Sequence, residues 1–392
     1  MRVLGMVVCV AAVVAAEGFF SGEEYPLLEG AWPSTSGEKF SFVILGDKTS
    51  GGEGKWPIFD RAVDAINLLN PDFVITVGDH IPGHMQEREA WDAEWAEYLE
   101  HARRLKAPQF LTAGNHDIAN VECYGFWKED FGPTYYAFDY KGCHFLVLNT
   151  EEERFDGRGP VWNAMMTFAE TGLDAHREAR HTFVFFHKPM WDDPRFDEDM
   201  RRLERALGTR PYTVVAGHEH YLMAERRDGR LYVILNATGG GIDVSEVREF
   251  GAFHGFGYVT VDGDEVTCAI VEPDGAIWPV DVAPASFRKA IAHDVVRWDA
   301  LEPPETDGGT VVLRTAARLA NPFEEEIHIE ITVPSLDEFM WDAEWEAGSP
   351  WRRDGGALLA ETVLPPGQTA ALGIVFRTSE EHLSYPPRYA FR

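Results

Sequence analysis

At 392 residues and 45% hydrophobic side chains, the chain is long enough for two domains and apolar enough for packed cores, which argues against disorder. Its 65 acidic residues against 35 basic ones give a net charge of −30. A polyanion is repelled on average by such a surface, so no nucleic-acid partner is expected.

The opening segment has a basic start, Met1-Arg2, an apolar run from Val3 to Ala16, and small residues at Val14, Ala15 and Ala16. That pattern predicts a signal peptide over residues 1–16 and a secreted or periplasmic protein; a buried first helix or strand is the competing reading. No stretch is long and apolar enough for a stable membrane span, and Cys9 lacks the context of a lipid-anchor site. Removal of the leader leaves three of the four cysteines, Cys123, Cys143 and Cys268. An odd number is no disulfide framework. A Cys123–Cys143 bridge and three buried thiols both fit it.

Lys39 to Leu45 is a buried strand that ends in Gly46-Asp47, and a glycine-rich loop over Lys48–Gly54 follows. Apolar residues at Ile58, Phe59, Ala62, Val63, Ile66 and Leu69 have helical spacing, and Asn70-Pro71 stops the helix. A second strand, Asp72 to Val77, ends in Gly78-Asp79. Strand, helix and strand of this size make a βαβ unit with a parallel sheet. The pattern repeats with a helix over Glu87–Leu105 and a strand over Pro108–Ala113 that ends in Gly114-Asn115-His116-Asp117.

Tyr135–Tyr140 and Cys143–Asn149, joined by Lys141-Gly142, read as a β-hairpin. A helix over Trp162–Arg180 then leads to the strand His181–Phe186, which ends in His187. Another helix, Asp197–Leu207, precedes the apolar run Val214-Val215-Ala216 and its terminus Gly217-His218-Glu219-His220. Strands are expected over Leu231–Asn236, Tyr258–Val261 and Val266–Val271. The character changes after Val282. A connector runs to Trp298, and short strands at Val311–Leu313, Ile327–Val333 and Ala370–Phe376, broken by Pro/Gly turns, predict a small all-β sandwich. The expected organisation is a leader at 1–16, an α/β domain over 17–282 and a β-sandwich domain over 283–392.

Asp47, Asp79, Asn115, His116, His187, His218 and His220 thus all sit at strand ends. In an open α/β sheet the ligand crevice lies outside the carboxyl ends of the strands, so these groups can converge. Carboxylate, amide and imidazole together suit Mn, Fe or Zn, and one shared carboxylate sets two ions at catalytic spacing. His144, His176, His181, His254 and His328 belong to no motif and read as structural.

Gly46-Asp47, Gly78-Asp79, Gly114-Asn115-His116-Asp117, His187 and Gly217-His218-Glu219-His220, in this order, resemble the five motifs of the calcineurin-like metallophosphoesterases over about Lys39–Val271. The resemblance implies a four-layer αββα sandwich of mixed sheets flanked by helices. It implies two divalent or trivalent metal ions (Mn, Fe or Zn). Asp79 bridges them, Asp47 and His220 complete the first shell, and Asn115, His187 and His218 bind the second ion. It places His116 beside the reacting phosphate. Asp79 and His116 are the catalytic candidates, and the implied substrate is a small phosphorylated molecule, monoester or diester.

One position departs from the pattern. The family usually has Asp-x-His in its first motif, and this chain has Asp47-Lys48-Thr49. Purple acid phosphatases, a related group, lose the same histidine and supply a tyrosine three residues after the second-motif aspartate; here that position is Pro82. His80, His84, Thr49 or water are the candidate replacements. The missing imidazole admits a second reading, a catalytically weak scaffold that binds glycans or proteins through its C-terminal domain, where Trp341, Trp345 and Trp351 line a surface or pack a core. The loops Thr49–Trp56, Ile81–Gln86, Ile118–Trp127 and Lys188–Pro194 are expected to rim the site, with Lys48 and Lys188 in reach of a phosphate.

Overall fold

The computed structural model describes residues 27–28, 37–49, 56–153, 157–333, 342–345, 350–354 and 357–380. The expected leader and Trp341 lie outside these residues. Two compact units divide the chain, Met1–Ala285 and Ser286–Arg392. Among the described residues no helix is long and apolar enough to cross a membrane.

In chain order the first unit contains β1 (Leu27–Leu28), β2 (Phe40–Leu45), α1 (Trp56–Leu69), β3 (Phe73–Thr76), α2 (Arg88–Ala102), β4 (Gln109–Phe110) and α3 (Val121–Asp130). β5 (Tyr136–Tyr140), β6 (Cys143–Val147), α4 (Pro160–Ala175), β7 (Thr182–Phe185), α5 (Asp197–Leu207) and β8 (Tyr212–Ala216) follow. β9 (Met223–Arg227), β10 (Arg230–Ile234), β11 (Phe256–Asp262), β12 (Glu265–Val271) and β13 (Ile277–Pro279) complete it. One sheet has the order β1-β4-β3-β2-β11-β12-β13, parallel across β4, β3 and β2 and antiparallel elsewhere. The other has the order β5-β6-β7-β8-β10-β9, parallel from β6 to β10 with an antiparallel strand at each edge.

A ring-rich core fills the space between the sheets. Phe42 stacks on Phe73 at 5.1 Å and Phe138 on Phe145 at 4.7 Å. Burying each such ring contributes about 2–3 kcal/mol relative to exposure. The opposite face of the first sheet is covered by α1, α2 and α3, and that of the second by α4 and α5. The unit is therefore the expected αββα sandwich of mixed sheets. Helix α1 shows the local logic: Phe59, Ala62, Val63 and Ile66 are its buried residues, at the spacing of one helical face.

The local differences have identifiable causes. β4 spans two residues of the six expected, because side chains take over beyond Phe110. The Thr112 N–H donates to Thr76 Oγ1, and the Leu111 carbonyl accepts the Tyr136 hydroxyl. β9, an edge strand of sequence MAERR, has no apolar alternation to announce it. Cys123, Cys143 and Cys268 are free thiols, the first two buried, so the Cys123–Cys143 bridge is absent.

The second unit opens on a short helical segment up to Val295 and then contains β14 (Val296–Trp298), β15 (Glu305–Asp307), β16 (Thr310–Ala320), β17 (Ile327–Val333), β18 (Asp342–Trp345), β19 (Trp351–Asp354), β20 (Ala357–Leu364) and β21 (Thr369–Ser379). The strands form two antiparallel sheets, one holding β14, β15, β16, β18 and β21 and the other β17, β19 and β20. Ile329, Ile331 and Leu358 of the second sheet share one core with Leu313, Ile374 and Phe376 of the first, which makes a small β-sandwich. The end of the expected connector is itself a strand, β14, paired with β16. Trp351 is buried in this core and serves packing, and half-buried Trp345 packs against it.

His181, at the start of β7, is buried beside Thr213, and burial lowers its pKa from 6.5 to about 4. The unfolded chain therefore binds the extra proton between these values. Stability is lost as pH falls from about 6.5 to about 4, by up to about 3 kcal/mol for this one group. A His181→Gln variant is expected to show a shallower loss across that window in urea titrations at each pH.

Candidate metal centre

β2, β3 and β4 of the first sheet and β7 and β8 of the second release their chains toward one crevice. Asp47 follows β2, Asp79 follows β3, Asn115 and His116 follow β4, His187 follows β7, and His218 and His220 follow β8. Backbone bonds tie these ends together. The Asp79 carbonyl accepts the N–H groups of Lys48 and Thr49 at 3.0 Å, and Gly217 N–H donates to the His187 carbonyl at 2.9 Å. Asp79, His218 and His220 have φ of 58°, 75° and 60°, in the left-handed region. Such residues cost of order 1–3 kcal/mol each and persist where the surrounding structure dictates them.

Two ligand groups result. Asp79, His187 and His218 bring ligand atoms within 4.8 Å of one another, and so do Asp47, Asp79 and His220. Asp79 belongs to both. Asn115 joins the first of these groups, with Oδ1 3.0 Å from His187 Nε2. His187 Nδ1 donates to the Val77 carbonyl at 2.8 Å, which leaves Nε2 for the crevice. There it meets Asn115 Oδ1 at 3.0 Å, His218 Nδ1 at 3.2 Å and Asp79 Oδ1 at 3.3 Å. A ring nitrogen surrounded by acceptors calls for a cation at that point. His220 Nδ1 likewise donates to the Gly241 carbonyl, and its Nε2 faces Asp47 Oδ1 at 3.8 Å. The residues present fit a divalent metal.

The electrostatics agree. Burial lifts the Asp47 carboxyl to about 6, against the pull of His187 and His220. Burial acts upward on Asp79 too, but His187 and His116 outweigh it and hold that carboxyl below the usual range. Burial acts downward on His187, and the carboxylates of Asp79 and Asp47 reverse this and raise it to about 10. His218, buried beside His187, falls to about 3. Without metal, the cluster keeps a proton on His187, at the spot where positive charge is demanded.

His116 is placed for a separate task. Its N–H donates to Asp79 Oδ1 at 2.9 Å and its Nδ1 donates to the Pro82 carbonyl at 2.6 Å, so Nε2 is the ring atom left for proton transfer. The candidate replacements for the missing first-motif histidine do not join the ligand groups. Thr49 Oγ1 donates to the Ile81 carbonyl at 2.9 Å. His80 turns into the core, with Nδ1 on Asp117 at 2.9 Å and Nε2 on Thr76 Oγ1 at 2.8 Å. Exposed His84 stands edge-on to the His116 ring at 4.8 Å.

The sequence reading missed Asp117. It is fully buried and accepts the N–H groups of Asp79, Gly114 and His80, which fixes the turn that carries Asp79. Its place as the last residue of Gly114-Asn115-His116-Asp117 was the available signal. Of the two lysines expected near the phosphate, Lys188 pairs with buried Glu151 at 2.8 Å and Lys48 lies over the Trp56 ring at 3.8 Å.

Residues 40–222 match the family described as calcineurin-like phosphoesterase. This segment belongs to the calcineurin-like phosphoesterases. The family match and the two ligand groups support metal-dependent hydrolysis of phosphoesters with divalent metal. No curated protein matches the chain. Among solved structures, GAP50, the anchor in the inner membrane complex of Plasmodium, is 13% identical, with 60% of this chain and 85% of that one covered at a TM-score of 0.46. A dimetal phosphatase from Danio rerio is 12% identical, with 62% and 99% covered at 0.45. A 5'-nucleotidase from Candida albicans is 10% identical, with 94% and 96% covered at 0.40.

Glycine is required where the ligand turns touch. A Cβ on Gly217 would lie 2.6 Å from Asp47 Oδ2, and one on Gly114 would lie 2.3 Å from Asp79 Oδ1. Gly217 has no positive φ, so Gly217→Ala tests space alone. Displacing Asp47 is expected to weaken metal binding at least tenfold, read as metal content after dialysis, with the far-ultraviolet circular dichroism unchanged.

Proposed function

We propose that this protein hydrolyses a small phosphate monoester or diester with two metal ions, Mn, Fe or Zn, that share Asp79. The observation that carries the reading is the pair of ligand groups with Asp79 common to both. Asp47 and His220 complete the first site, and Asn115, His187 and His218 the second. When bound, the ions supply charge that offsets the phosphoryl oxygens and lowers the pKa of water at the site. His116, fixed through Nδ1 and its N–H, holds Nε2 toward the leaving oxygen and gives it a proton. Asp117 and His80 keep Asp79 in its left-handed turn.

Asp79→Asn is expected to abolish hydrolysis of generic aryl phosphate mono- and diesters while the fold survives. Turnover equal to wild type would sink the assignment. His116→Asn is expected to lower kcat by about 10²–10⁴ with metal content unchanged, the usual range for loss of a general acid. With Thr49 committed to Ile81, His220 is the sole imidazole among the described residues in the group that contains Asp47, so His220→Ala should strip that ion almost completely and leave the other. Metal analysis that finds both ions retained in this variant contradicts the partition. The scaffold reading predicts no more than one bound ion and no turnover with added Mn. We propose further that residues 1–16 are a cleaved leader and the protein is secreted or periplasmic. Amino-terminal sequencing of the mature protein tests this, with a start after Ala16 expected.

A further inference from the structure

A second convergence of ligand atoms lies away from the strand ends that build the phosphoesterase centre. Asp139 of β5, His144 of β6 and His176, the residue that caps the C-terminus of α4, bring ligand atoms within 4.8 Å of one another. Strand pairing places two of them, since Asp139 and His144 are direct partners in the β5–β6 ladder. The end of α4 places the third. His176 Nδ1 donates to the Gly172 carbonyl at 2.8 Å, which leaves a lone pair on Nε2 of the neutral ring. Nε2 faces Asp139 Oδ2 at 3.0 Å, so two acceptors confront each other and a positive species belongs between them. His144 Nδ1 lies 2.7 Å from Asp139 Oδ1, and the residue is 1% exposed. Its other ring nitrogen is buried with no hydrogen-bond partner among the described residues. The two rings lie face to face at 4.2 Å.

We infer that Asp139, His144 and His176 form a binding site for one zinc-like divalent ion, independent of the centre built on Asp79. Two imidazole nitrogens and one carboxylate suit zinc, nickel or copper better than magnesium or calcium. Three protein ligands leave a fourth position for water. The side chains of Asp139 and His176 are 29% and 36% exposed, so that position opens to solvent. Ligand atoms about a tetrahedral zinc lie roughly 3.3 Å apart at the usual bond lengths. The cluster therefore widens by a few tenths of an ångström on binding. The partly exposed side chains of Asp139 and His176 supply that movement, and the ladder holds His144 in place. The ion clamps the end of α4 to the β5–β6 hairpin and takes no part in hydrolysis.

Zinc titration of the metal-free full chain, read by calorimetry and by thermal unfolding, tests the site. His176→Gln and Asp139→Asn are both expected to bind one zinc fewer than wild type, or to bind it at least tenfold more weakly. Both should lose the rise in Tm that this equivalent brings, with unchanged phosphoester turnover in Mn. Asp79→Asn should keep this equivalent, which separates failure here from failure of the two-ion reading. Both substitutions are at partly exposed positions, so circular dichroism of the metal-free variants should match wild type. Should both variants bind as much zinc as wild type, with the same affinities and the same shift in Tm, a proton alone joins the three side chains and the inference is overturned.

Discussion

The phosphoesterase domain depends on a single buried carboxylate. Asp79 is 2% exposed, and an ionised carboxylate in such surroundings is costly unless charge and hydrogen bonds compensate it. Compensation comes from several directions. His116 N–H reaches Oδ1, the His187 ring lies against it, and the Asp79 main chain is pinned by Asp117 on one side and by Lys48 and Thr49 on the other. These contacts require the ends of β2, β4 and β7 to arrive within a few ångströms of one another. The left-handed turn at Asp79 and the bare Cα of Gly114 against its carboxylate follow from that crowding. The parallel strands and the ring-filled core between the sheets hold those ends in place.

The two ligand groups around Asp79 are unequal. The one containing His187 has two imidazoles, an amide and the shared carboxylate, spaced at 3.0–3.3 Å around His187 Nε2. The other has Asp47, Asp79 and one imidazole, with His220 Nε2 3.8 Å from Asp47 Oδ1. The difference traces to one substitution in the first motif, because Thr49 uses its hydroxyl to tie its own loop to Ile81. His80 cannot make up the loss. It is the inner partner of Asp117, and removing it from that role would loosen the turn that presents Asp79.

The second unit follows another logic. Its alternating strands place one face of each sheet in a common core, and the long pairing of β16 with β21 dominates the larger sheet. Trp351 is consumed by that core. Aromatic side chains at strand positions fill space between sheets as readily as they line a surface, and only burial separates the two uses.

What the amino-acid sequence determined by itself was the order and chemistry of the parts. Apolar runs that end in Gly-Asp, Gly-Asn-His-Asp, His187 and Gly-His-Glu-His announce strands with ligands at their tips, because strand burial and turn chemistry are local properties. The αββα layering was implied by the family resemblance that those motifs carry, and the two sheets with their covering helices show it. Other assignments needed the tertiary structure. Whether His80 or Thr49 coordinates depends on what lies across the loop, and the answers, Asp117 and Ile81, come from distant residues or opposing turns. β4 stopped short because Thr76 and Tyr136 competed for its backbone. Nothing in the sequence near His144 or His176 signals that they meet. A strand pairing and a helix end, 32 residues apart in the chain numbering from His144 to His176, bring them to one carboxylate, and only the packed fold sets that distance.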